Sequence, residues 1–284
     1  MPDARPTTAV TSGAVAKPGE RKSGEREATL VALLALLAVS AWGALWLWSA
    51  SPYARYLAHD GWDEIGVVAA LCRAIPQGDV AVPALLHAVA WMLMVAAMML
   101  PTTYPLLSMV RRVTAGRSDS TRLVALVIAG FVVAWLGFGV VAHTADAALR
   151  WGAGRSAWFV ANGWMVGAAV LAGAGLFQWS SLKYRCLERC RTPFGFVNSR
   201  WHGRSPPREA FRIGIDHGLF CVGCCWALMA TMFVVGIGSI GWMLALAAIM
   251  AAEKNLPWGR RLATPVGVAL LGWAGGIVVA HLST

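Results

Sequence analysis

Seven apolar runs divide this chain, and they decide most of what it can fold into. A helix that crosses a hydrocarbon core about 30 Å thick needs about 20 apolar residues. Such runs lie at 29–49, 81–100, 123–143, 158–179, 213–236, 239–252 and 263–281. The sixth is short and follows the fifth across a Gly-Ile-Gly-Ser-Ile-Gly stretch, which demands a tight turn. Strands of a membrane barrel would alternate in polarity and be half as long. The expected fold is all-α, a polytopic transmembrane bundle of about seven helices.

Composition supports this and closes the other options. The chain is 58% apolar and 13% charged over 284 residues, where soluble domains sit near half apolar and about a quarter charged. A soluble enzyme, a disordered chain and a disulfide-stapled secreted module are all excluded. The net charge of +10 would suggest a nucleic-acid partner if it were gathered on one domain. Instead the basic residues fall between the apolar runs, so no nucleic acid is expected and the bilayer is the partner.

Their placement gives a topology. Arg5, Lys17, Arg21, Lys22 and Arg26 precede the first run, and Arg111, Arg112, Arg117 and Arg122 lie between the second and third. Lys183, Arg185, Arg189, Arg191, Arg200, Arg204, Arg208 and Arg212 follow the fourth, and Lys254, Arg260 and Arg261 the sixth. With seven crossings these 20 of the 24 basic residues share one side, leaving Arg55, Arg73, Arg150 and Arg155 opposite. The positive-inside bias then puts the N-terminus in the cytoplasm and the C-terminus outside. A bacterial inner membrane is the expected location. Residues 1–28, rich in Pro, Gly, Ser, Thr and charge, read as a disordered cytoplasmic tail, and 29–284 as a single transmembrane domain. The first run is too long for a signal-peptide core and reads as an uncleaved anchor.

Trp42, Trp46, Trp48, Trp158, Trp179 and Trp242 stand toward expected helix ends, as interfacial aromatics do. Gly163 and Gly167, then Gly272 and Gly276, have the small-xxx-small spacing of close helix packing.

Chemistry concentrates in the fifth run, Asp216-His217-Gly218-Leu219-Phe220-Cys221-Val222-Gly223-Cys224-Cys225-Trp226-Ala227-Leu228-Met229, with Met232 beyond. At about 100° per residue, His217, Cys221, Cys224, Cys225, Met229 and Met232 fall within an arc of about 140°. Thiolate, thioether and imidazole together favour a soft transition metal, Cu(I) over Zn(II). Cysteine and methionine are also ordinary apolar packing groups, which is the plain alternative. In the second run Met94 and Met98 share one face and Met92 and Met99 nearly the opposite one, so at most one pair points at the fifth. Pro101 and Pro105 should break or kink that helix.

Cys186 and Cys190, four apart at the end of the fourth run, share a face if helical. They are either a way in for metal or a pair of reduced cytosolic thiols. Glu253 closes the sixth run beside Lys254, where an acid is interfacial or an ion ligand. His87 is an intramembrane ionisable group. His143 with Asp146, and His59, Asp60, Asp63 and Glu64 in the first outer loop, are harder ligands at the outer side. Cys72 is alone. The Cys221-Val222-Gly223-Cys224 spacing also matches a thiol–disulfide motif, although a cytoplasm-facing pair would stay reduced. No Walker, GxSxG, HExxH or dinucleotide motif is present in context.

Gly218 to Met229, Ala97-Met98-Met99-Leu100-Pro101, Cys186-Leu187-Glu188-Arg189-Cys190-Arg191-Thr192-Pro193 and Ala252-Glu253-Lys254 together resemble a bacterial domain-of-unknown-function family. It is described as predicted metal-binding integral membrane proteins. The resemblance covers roughly residues 50–282. It implies metal binding, which falls first on Cys221, Cys224 and Cys225 and then on Met98, Met99, Cys186, Cys190 and Glu253. The resulting expectation is a non-enzymatic membrane protein that binds Cu(I) for handling or transport, with a metal donor or acceptor protein as partner. The alternatives are a membrane thiol oxidoreductase using Cys221 and Cys224, and a structural or assembly subunit.

Overall fold

The computed structural model describes residues 18–51, 81–235 and 239–283. Cys72 and the loop ligands His59, Asp60, Asp63 and Glu64 lie outside the described residues, as does the side chain of His87. Every regular element among the described residues is helical. In chain order these are α1 (Pro18–Ser49), α2 (Ala81–Met94), α3 (Tyr104–Val113), α4 (Ser120–Ala153), α5 (Ala157–Ala161) and α6 (Trp164–Phe177). Then come α7 (Ser181–Arg191), α8 (Pro193–Asn198), α9 (Pro206–Ala230), α10 (Met232–Val235), α11 (Ile240–Asn255) and α12 (Ala263–Leu282). α1 begins at Pro18, within the segment expected to be a tail, and its Glu27 accepts hydrogen bonds from Tyr104 (3.0 Å) and Arg112 (3.2 Å) of α3.

Among the described residues four helical stretches are long and apolar enough to cross a membrane: Glu27–Ser49, Ser120–Ala153, Pro206–Val235 and Gly259–Leu282, with mean hydropathies of 2.3, 2.6, 2.1 and 1.8. Two bent pairs, Ala88–Met99 with Pro101–Val113 (45°) and Trp164–Phe177 with Ser181–Arg191 (62°), bring the number to six if each is one crossing. The sixth expected run gives α11, whose 16 residues rise about 24 Å and fall short of a full crossing. Large apolar side chains face outward on several helices, among them Leu36, Val39, Val140 and Val279. An apolar exterior of this extent matches lipid or a partner, not water.

The core forms around α9. It runs along α4 for the longest interface in the molecule, while α7 packs on another of its faces and α6 pairs with α12. The α4–α9 approach depends on Gly130 and Gly214: a β-carbon on either would overlap a backbone carbonyl of the other helix, Phe211 or Val127. The glycine spacing expected to pack helices holds at Gly167, where a β-carbon would lie 3.3 Å from Val234 of α10, and is displaced on α12. Gly272 and Gly276 face open space, and α6 meets α12 at Gly175 and Gly267 instead. Spacing alone does not say which face of a helix looks outward.

The break between α2 and α3 shapes the site. Pro101 has no N–H and its ring crowds the preceding turn. The chain answers with a π-turn over Val95–Met99, closed by Leu100 N–H to the Val95 carbonyl (3.0 Å), then a 3₁₀ turn at Pro101–Thr103. Trp91 pins the turn from above, stacking on Phe233 and donating its indole N–H to the Trp135 carbonyl (3.0 Å). Met94, Met98 and Met99 are all buried around this turn, with Met92 half-buried.

Candidate metal centre

Four elements meet at the centre: the middle of α9, the π-turn, the end of α7 and the end of α11. The stripe read along the fifth run is a buried face, since His217, Cys221, Cys224, Cys225, Met229 and Met232 are all 3% exposed or less. It divides in two. Cys221 and Cys225, one turn apart, point toward the π-turn and α11, where Cys225 Sγ is 3.9 Å from Met99 Sδ. Cys224 faces α7, where the thiol of half-buried Cys190 stands beside it. Cys224 and Cys225 also donate to the Cys221 carbonyl, at 3.1 and 2.8 Å.

The approach of α7 rests on Gly223, where a β-carbon would lie 2.6 Å from Cys186 Sγ. Cys186 therefore supports the helix contact, and Cys190, one turn on, is the α7 thiol beside Cys224. The other expected ligands stand around this nest without closing it. His217 packs between the rings of Phe131 (centroids 6.2 Å apart) and Phe196 (5.8 Å), and its Nδ1 has no hydrogen-bond partner. Met98 and Met229 are buried in the surrounding core.

Glu253 does not face the sulfur atoms. Both its carboxylate oxygens accept from Lys183 Nζ at 2.8 Å, and Gln178 Oε1 takes a further Lys183 N–H. Lys183 is 0% exposed, although its place in a basic segment suggested a solvated cytoplasmic charge. Arg191 donates to the Leu256 (2.7 Å) and Pro257 (3.2 Å) carbonyls and to that of Glu253, tying the end of α11 to α7. Such a guanidinium satisfies carbonyls that a helix end leaves open.

The residue nearest the thiols that sequence reasoning passed over is Lys254. Its Nζ stands 3.0 Å from Cys221 Sγ, 3.6 Å from Met99 Sδ and 4.0 Å from Cys225 Sγ, with Thr102 Oγ1 at 3.4 Å. A charged pair at the end of an otherwise apolar run was the available signal, but the neighbouring acid drew the attention. Among the described residues no three His, Cys, Asp or Glu side chains converge as a ready cage for an ion. The donor set is thiol and thioether, which suits a soft cation content with few ligands and not the closed tetrahedron of structural zinc.

A protein-family model described as a copper chaperone, PpoB2, matches residues 88–277, which is most of the chain. The chain belongs to this copper chaperone family. The matched span takes in the π-turn, both cysteine helices and the Glu253-Lys254 pair. No curated protein and no solved structure matches the chain. Copper is the metal to which the family points.

Proposed function

We propose that this chain is a bacterial inner-membrane copper handler that holds Cu(I) on two thiols at a time among Cys221, Cys224, Cys225 and Cys190, with Met99 beside them, and passes it to a partner protein without catalysing a reaction. One observation carries the reading: Cys221, Cys224 and Cys225 are buried together on α9 between half-buried Cys190 of α7 and Met99, whose Sδ is 3.9 Å from Cys225 Sγ. Soft sulfur donors discriminate Cu(I) from the hard cations of the cell. Cys190 is the thiol through which the ion enters and leaves. Delivery is favoured over transport because the fifth run beyond Met232 continues as Phe233, Val234 and Val235, which offer no ligand.

The test is the copper content of the purified protein, wild type against a Cys221→Ser, Cys224→Ser, Cys225→Ser triple variant, with X-ray absorption at the copper edge. Copper in a sulfur shell in the wild type, lost in the variant, is expected. Equal and near-zero copper in both after loading would end the proposal. Free thiols counted before and after mild oxidation separate the reading from thiol redox chemistry, for which a reversible Cys221–Cys224 disulfide is required.

A further inference from the structure

Lys254 is a cation inside an apolar bundle, 7% exposed, and a buried charge persists only where something pairs with it. Its sequence neighbour Glu253 does not, being committed to Lys183. Among the described residues no carboxylate is within ion-pair distance of Lys254; its polar contacts are Cys221, Cys225, Met99 and the Thr102 hydroxyl. The ammonium is thus built into the sulfur nest as a fixed positive charge.

From this arrangement we infer that Lys254 sets the valence preference of the centre, favouring a monovalent soft cation over a divalent one. The inference rests on the reading that the thiols bind metal. Ligating thiols bind as thiolates. Among the described residues no three His, Cys, Asp or Glu donors converge, so the unit to consider is a pair of thiolates. A pair holding a monovalent ion carries one net negative charge, which Lys254 cancels. The same pair holding a divalent ion is already neutral, and Lys254 becomes an unpaired buried cation. In a low-dielectric interior that difference weighs heavily against the divalent ion. Charge, not softness, then separates Cu(I) from Zn(II).

The experiment uses the full-length purified protein and two thiophilic, redox-inert probes, Ag(I) for the monovalent and Cd(II) for the divalent class. They are offered together against a competing thiol buffer, and bound metal is read by elemental mass spectrometry. Wild type is expected to take Ag(I) in preference. Lys254→Met removes the charge at nearly constant length, and the bound Ag:Cd ratio is expected to fall at least about tenfold, one decade in relative affinity. Lys254→Arg keeps the charge and should keep the ratio within about threefold of wild type. Thr102→Asp, which leaves Lys254 in place but gives it a carboxylate where the Thr102 hydroxyl now stands 3.4 Å from its Nζ, should shift the ratio the same way as Lys254→Met. It also keeps the test alive if Lys254→Met does not fold. An unchanged ratio in either folded variant overturns the inference while leaving the copper reading intact. A wild type that takes up neither metal overturns both.

Discussion

Removing either partner of the Lys183–Glu253 pair should destabilise the protein, and removing both should cost less than removing one. The side chains are 0% and 3% exposed, and Lys183 Nζ has all three donors engaged, on Gln178 and on both oxygens of Glu253. Breaking a buried pair from one side costs about 3–5 kcal/mol. The double variant Lys183→Met, Glu253→Leu strands no charge. It leaves only Gln178 short of a partner, for about 1–3 kcal/mol, so it should be more stable than either single change. The assay is thermal unfolding in detergent followed by tryptophan fluorescence. Single variants that melt like the wild type, or a double variant worse than both, would refute the reasoning.

Gly223→Ala places a methyl 2.6 Å from Cys186 Sγ and should cost about 1–3 kcal/mol of thermal stability by overpacking; adding Cys186→Ala should recover most of it. Arg191→Met removes the donor to three carbonyls at the end of α11, for a loss of about 1.5–3 kcal/mol. Lysine, lacking the planar fork, should restore only part of that in the same melt. Glu209 accepts from the backbone N–H groups of His202, Gly203, Arg204 and Ser205. Glu209→Gln should therefore speed amide exchange in 202–205 without slowing exchange in the centre of α9.

The helical segments could be read directly because the bilayer requires contiguous apolar residues, a signal each run carries by itself. The buried face of α9 was readable for the same reason: the rotation of a regular helix places Cys221, Cys224 and Cys225 without reference to any other element. What the sequence did not disclose is where a second element is needed. Lys183 and Lys254 look like loop charges until partners from other helices, Glu253 for one and Cys221 for the other, are in place. Which methionine of the second run meets the thiols depends on the π-turn, and a proline announces a break without specifying how the chain accommodates it. His217 fell on the right face, yet a face about 140° wide holds both a sulfur nest and an aromatic cage.

The π-turn at Val95–Met99 gives the molecule an adjustable phase. Because it holds one residue more than an α-turn would, deleting one residue there, such as Ala96, leaves an uninterrupted α-helix up to Pro101. The π-turn absorbs the extra residue, so the parts on either side would keep nearly their present phase; closing the turn to α geometry at unchanged length would instead rotate them by about 100° relative to each other. With Trp91 anchored on Trp135, that rotation would carry Met99 off the thiols while leaving the outer packing of α2 undisturbed. Loss of a single codon in this stretch thus preserves the placement of the sulfur ligand, whereas a change that regularises the five residues 95–99 at constant length removes it.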